Sequence, residues 1–133
     1  MHMEQAIKEK HTKKQNYIKG RWGENITCSY LQKKGFVILD RNYRCYFGEI
    51  DLIAFSGNMI CFIEVKMRNT KNYGLGSESI TYIKINRIKR SAQYYLNKKV
   101  MSRIGNRFIV RFDVCEILKY KKVYYCKFIK NAF

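Results

Sequence analysis

Proline is absent from the 133 residues, and acidic side chains are scarce: 10 Asp and Glu stand against 27 Lys and Arg, a formal charge of +17. The missing proline, with abundant Lys, Asn, Ile and Tyr, fits a biased composition that places lysine wherever polarity is needed. Such a bias explains many lysines but not the scarcity of acids. A field of this size attracts polyanions and speeds their encounter. Nucleic acid is therefore the expected partner, with DNA as its expected form; a basic domain with no such partner and association with an anionic membrane surface are the alternatives. No apolar run approaches the roughly 18–20 residues needed to cross a bilayer. No apolar segment follows the basic N-terminal stretch as a secretory signal requires, so a cytoplasmic setting is expected. The five cysteines, Cys28, Cys45, Cys61, Cys115 and Cys126, form no CxxC pair. That spacing argues against a disulfide scaffold or a zinc site and for buried thiols in a reducing compartment. His2 and His11 fall in a polar stretch and are not expected to be catalytic.

What is present fits one globular unit. Hydrophobic residues make up 47% and charged residues 28% of the chain, a balance found in folded rather than disordered proteins. Residues 1–18 read as a basic tail and 19–133 as a single domain, without repeats or an interdomain linker. Trp22, Ile26, Tyr30 and Leu31 recur at helical spacing, and Gly35 is placed to end that helix. Phe36 to Leu39 reads as a strand, followed by a basic, aromatic connection or irregular strand extension over 40–47. Ile80 to Leu96 repeats apolar residues at helical spacing, with Ser77 or Ser79 as its cap. Phe108–Leu118 and Val123–Ile129 read as two further strands. The order helix, three strands, helix, two strands predicts a compact α/β domain with a central mixed sheet flanked by helices.

The informative segment is Gly48–Phe55 (GEIDLIAF) followed by Ile60–Lys66 (ICFIEVK). With Gly57-Asn58 at a hairpin tip, Ile50, Leu52 and Ala54 oppose Val65, Ile63 and Cys61 on one apolar face. The other face opposes Glu49 to Lys66, Asp51 to Glu64, Ile53 to Phe62 and Phe55 to Ile60. A shift by one residue would mix the faces, so the pattern selects this register. Cross-strand Cβ atoms lie about 5 Å apart, so the Asp51 and Glu64 carboxylates are expected side by side. Two like charges leaving an apolar centre require a counter-charge. Mg²⁺ or Mn²⁺, which prefer oxygen ligands, are the natural candidates. Lys66 shares the face of Glu64, where it can orient an attacking water and stabilise negative charge on phosphorus. Glu49 can pair with Lys66 or join the metal shell through water. A salt-bridged structural patch is the competing reading; Glu49 with Lys66 fits it, whereas Asp51 against Glu64 does not.

These residues also carry a resemblance. GEIDLI (48–53) followed by FIEVK (62–66) resembles the YraN-like family (UPF0102), small bacterial proteins assigned to the restriction-endonuclease-like superfamily. The likeness runs over about residues 20–133. It includes Gly23-Glu24, Arg41-Asn42 with Arg44, Gly74, Lys84, Arg87-Ile88, Arg111-Phe112-Asp113 and the closing Ile129–Phe133. The resemblance implies a restriction-endonuclease-like fold, with the metal-binding pattern falling on Asp51, Glu64 and Lys66 and a helix-borne acid at Glu24. Thr27 departs from the family's usual alanine. A metal-dependent nuclease is the expectation, with a non-catalytic nucleic-acid-binding protein or a repair-complex adaptor as the alternative.

Around that centre, Arg41, Tyr43 and Arg44 precede the hairpin, and Arg68 and Lys71 follow it. They are candidates for phosphate contact at the rim, with Tyr43 or Tyr73 stacking on a base; a solvated basic loop is the competing reading. Lys84, Arg87 and Arg90 form an expected phosphate-facing stripe on the second helix, against ordinary solubilising charge. Arg111 and Asp113 are expected to form a structural salt bridge. Two copies could engage a symmetric substrate, and a repair or recombination protein is a further candidate partner.

Overall fold

A computed structural model of the chain describes residues 21–69 and 81–133. The expected basic tail, both histidines, Lys71, Tyr73, Gly74, Gly76, Ser77 and Ser79 lie outside these residues. Helix α1, residues 21–33, buries Cys28, Leu31 and Thr27 along one stripe. It ends as its sequence predicts. Gly35 takes φ +90°, its N–H donates to Gln32 O, and Phe36 N–H reaches back to Leu31 O, both at 3.0 Å. This pair of bonds satisfies carbonyls that a helix end would otherwise leave open.

Five strands follow in the spatial order β1-β2-β3-β4-β5: β1 (Val37–Cys45), β2 (Gly48–Ser56), β3 (Met59–Asn69), β4 (Ile109–Tyr120) and β5 (Val123–Ile129). Neighbours are antiparallel except β3 and β4, which run parallel. A parallel pair needs a long crossover, and this one contains α2 (Tyr82–Tyr95). The segment after Leu39 is thus strand, not connection. It carries a register shift between Ile38 and Asp40 and a positive φ at Asn42. Thr81 caps α2, its hydroxyl accepting from Lys84 N–H at 3.2 Å. The helix also runs further than its apolar spacing predicts, through a wide turn at Leu96–Val100 into α3 (Met101–Ile104). Leu96 and Val100 continue its buried stripe.

The β2–β3 ladder has the expected register from Leu52↔Ile63 to Ser56↔Met59. It divides the core as alternation requires. Leu52, Ala54, Cys61 and Ile63 pack with Cys28 and Leu31 of α1, whereas Ile53, Ile60 and Phe62 pack with Ile88, Ala92 and Tyr95 of α2. Ile50 is the exception. It joins the α2 side, because the alternation of β2 breaks between Ile50 and Leu52, where pairing to β3 ends. All five cysteines are free thiols, and burial pushes the Cys115 thiol up to about 12.

Arg111 and Asp113 form the structural ion pair expected of them. The Asp113 carboxylate is fully buried, accepts from Arg111 Nε and NH2 at 2.8–3.0 Å, and takes a further bond from Asn131 N–H at 2.9 Å. It thereby fastens the C-terminal turn to β4, and Phe133 stacks on Phe112 nearby. Removing one partner of such a pair leaves a poorly solvated charge, at a cost of about 3–5 kcal/mol. Asp113→Ala is therefore expected to lower the urea unfolding free energy by about 3 kcal/mol. A loss below about 1 kcal/mol would show that Asp113 is not the anchor of this edge.

Candidate metal and nucleic-acid site

Asp51 stands where β2 leaves β3. The strands pair as far as Leu52 and Ile63, and in place of the next ladder bond the Asp51 carboxylate itself accepts from Val65 N–H at 2.9 Å. Glu64, the residue before Val65, is buried on the α2 side of β3. The expected pairing of Asp51 across from Glu64 is therefore modified: the two remain close enough to interact, but at a splayed strand end rather than as partners within the ladder. Burial, then the charge of Glu64, pushes the Asp51 carboxyl up to about 7 against the opposing Val65 bond; Glu24 adds to the rise and Lys84 offsets part of it. Low accessibility and a neighbouring carboxylate both disfavour ionisation.

The counter-charge comes from α2. Lys84 Nζ meets Glu64 Oε1 at 2.5 Å, so this lysine of the expected phosphate-facing stripe sits inside the site. Lys66 follows Glu64 by two residues and shares its face. Burial lowers its pKa, as do Arg68 and Lys84, against the opposing pull of Glu64 and Glu116. Glu24 enters from α1 and is buried, but its carboxylate is occupied: Asn42 Nδ2 donates to it at 2.9 Å and Arg41 lies 3.9 Å away. Among the described residues, no three His, Cys, Asp or Glu side chains gather as a ready cation cage.

Several rim residues are placed differently from expectation. Glu49 is not opposite Lys66. It is exposed and pairs with Arg44 at 3.4 Å, because the β2–β3 ladder has already ended. Tyr43 packs edge-on against Tyr95 at 4.9 Å, half-buried beneath α2, and is not presented as a stacking platform. Arg41 is engaged with Asn25 as well as Glu24. Arg68 is largely buried beside Glu116 at 3.7 Å, away from an open phosphate-facing rim. Arg87 and Arg90 are exposed on α2. Arg44, Glu49, Glu64, Lys84 and Arg87 line one cleft of about 720 Å³ between the β1–β2 end and α2.

Glu116 went unnoticed in the sequence. It lies in register with Lys66 on the adjacent strand and contacts Arg68. Its signal was a lone carboxylate inside the apolar run VCEIL (114–118). Gly48 was noticed only as part of a motif. It has φ +151°, a backbone conformation that residues with a side chain rarely adopt, while a Cβ there would make only ordinary contact, at 3.4 Å, with Arg87 Cβ and Ser91 Oγ.

The fold and site thus define a basic α/β domain with a mixed five-stranded sheet and a coupled carboxylate pair where its central hairpin opens. Residues 23–117 match a family described as "Uncharacterised protein family UPF0102". A UPF0102 protein of Clostridium botulinum (strain Loch Maree / Type A3) is 47% identical over 116 residues, covering 86% of this chain and 92% of that relative. One from Alkaliphilus metalliredigens (strain QYMF) is 40% identical over 116 residues, covering 86% and 96%. The chain belongs to the UPF0102 family.

The raised Asp51 pKa sets the sign of a pH effect. Folded Asp51 keeps its proton to about pH 7 against an ordinary value of 3.8. Between these values the folded state binds more protons than the unfolded state, so stability falls as pH rises. In chelated buffer the slope approaches about 1.4 kcal/mol per pH unit at most. Asp51→Asn is expected to remove that slope and to become progressively more stable than the parent toward pH 7.5, read from urea midpoints. A difference between the two that stays constant with pH would contradict the assignment.

Proposed function

We propose that this chain is a metal-dependent nuclease of the restriction-endonuclease-like kind, hydrolysing phosphodiester bonds in nucleic acid, with DNA the favoured substrate. The observation that carries this reading is the Asp51–Glu64 pair: two interacting carboxylates at an opened strand end, one of them pushed up to about 7, on a chain of net charge +17. A structural salt bridge gains nothing from placing two acids together, whereas a divalent cation does.

The donor set fits Mg²⁺ or Mn²⁺ in chemistry, since both favour carboxylate oxygen. Asp51 and Glu64 would hold the ion, and Glu24 would support them from α1. When bound, the ion supplies an acidified water and neutralises phosphate oxygens. Lys66 directs its ammonium toward the same face, where it orients the attacking water and stabilises charge developing on phosphorus. Its lowered pKa suits proton exchange better than an ordinary lysine. Lys84 neutralises Glu64 in the metal-free protein and, with a cation on that carboxylate, would be available to a phosphate. Arg44 and Arg87, on the cleft walls, position the backbone through its phosphates.

A second reading is favoured by the ties on Glu24 and the Lys84–Glu64 pair. These contacts also suit a scaffold that binds nucleic acid without cutting it, or that serves a repair or recombination complex as an adaptor or homodimer. Turnover separates the two. Purified protein is assayed with Mg²⁺ and with Mn²⁺ on duplex, single-stranded, flap and four-way-junction DNA, beside Asp51→Ala, Glu64→Ala and Lys66→Ala. The nuclease reading expects cleavage of at least one substrate, reduced about 100-fold or more in each variant, a loss typical of removing one catalytic group. Binding should stay within a few-fold. Salt-sensitive binding without turnover on any substrate would favour the scaffold, and cleavage persisting in a protein carrying all three substitutions would exclude these residues as its centre.

A further inference from the structure

The turn between β1 and β2 presents an aromatic ring where turn chemistry does not ask for one. Cys45 pairs with Gly48, leaving Tyr46-Phe47 as the two-residue tip. Such tips favour Gly, Asn and Asp. Tyr46 is 96% exposed, although burying an aromatic side chain is worth roughly 1.5–3 kcal/mol. Its ring has one edge contact, to its chain neighbour. Phe47 meets it edge-on at 5.5 Å, and Phe47 in turn contacts Tyr94 of α2 at 6.0 Å.

The cleft beside the tip holds three cations, Arg44, Lys84 and Arg87, against the two acids Glu49 and Glu64. Cys45 and Gly48, on either side of the turn, line the same cleft as Glu64, Lys84, Arg44 and Arg87. Lys98 lies over the Tyr94 ring at 5.6 Å. A solvent-facing ring on a turn that flanks a cleft holding Arg44, Lys84 and Arg87 is an arrangement able to take a stacked base with its phosphates. Bases within a continuous duplex already have both faces covered by their neighbours. Only an unpaired or frayed base offers a face to such a ring.

We infer that Tyr46 is a stacking platform for an unpaired nucleobase at the mouth of the Glu64 cleft, selecting nucleic acid with single-stranded character over continuous duplex. The inference rests on the nucleic-acid reading above and deepens it, giving to Tyr46 the role first expected of Tyr43. The ring supplies discrimination, while the surrounding cations supply affinity common to all substrates.

The test is a binding measurement in chelating buffer, so that the binding readout does not depend on cleavage; the cleavage assay above is read beside it. Fluorescence anisotropy follows wild type, Tyr46→Ala and Tyr46→Phe on an oligothymidine, a flap duplex and a blunt duplex of equal length. Stacking is worth about 1–3 kcal/mol per base, so Tyr46→Ala should weaken the first two by about tenfold or more and the blunt duplex by less than about twofold. Tyr46→Phe should keep the preference. An equal loss on all three, or no loss on any, overturns the inference. So does a Tyr46→Ala variant that sediments as monomer where the parent is dimer, which would assign the ring to contact between copies. Selective loss without cleavage of any substrate would retain the platform and reject the nuclease. Asp51-dependent cleavage with unchanged binding by Tyr46→Ala would do the reverse.

Discussion

Two carboxylates held close together at the edge of an apolar core govern the rest of this structure. Asp51 and Glu64 repel one another and lose hydration where they stand, and the Asp51 carboxyl is pushed up to about 7 in consequence. The fold tolerates them because each has a partner of opposite polarity. Val65 N–H donates to Asp51, and Lys84 reaches down from α2 to Glu64. The Val65 N–H is free to make that bond because the β2–β3 ladder stops at Leu52 and Ile63. The open end of the hairpin thus supplies one of the two contacts that contain the repulsion.

The surrounding architecture holds that opening. Below it, the ladder from Leu52 to Ser56 is sealed on both faces, by α1 through Cys28 and Leu31 and by α2 through Ile88, Ala92 and Tyr95. A hairpin covered on two sides cannot slip in register without exposing one apolar set and burying charge in its place. Gly48 supplies the positive φ at the start of β2, and Lys84 and Arg87 of α2 line the cleft beside it. Away from the site, the buried Arg111–Asp113 pair closes the sheet with the chain's last residues. The positive charge is then displayed by an ordered frame, with Arg44, Lys84 and Arg87 facing the same cleft as Glu64.

Much of this is legible in the sequence alone. The two-residue period of GEIDLIAF and ICFIEVK identified the hairpin, its register and its two faces. Gly35 marked the end of α1, and the order of elements indicated a mixed sheet. What alternation could not report was where it would stop. A register shift beside Leu39, a positive φ at Asn42 and the loss of pairing beyond Leu52 all break the period. The residues near those breaks were accordingly misplaced. Ile50 moved to the α2 side, Glu49 turned to Arg44, and Tyr43 went under the helix. Glu116 was hidden because its role depends on a parallel neighbour distant in sequence. The hairpin pattern picks out Asp51 and Glu64 and the family resemblance adds Glu24, but only geometry shows that Glu24 is already engaged while Lys84 attends Glu64.

The central claim is that Asp51 and Glu64 stand together in order to share a divalent cation. Anomalous diffraction from crystals grown with Mn²⁺ tests it without reference to any substrate. The account predicts an anomalous peak within about 2.5 Å of oxygens from both carboxylates, with Lys84 displaced from Glu64, and no such peak in crystals of Asp51→Asn. Crystals showing the Lys84–Glu64 pair intact and no manganese between the acids would contradict it.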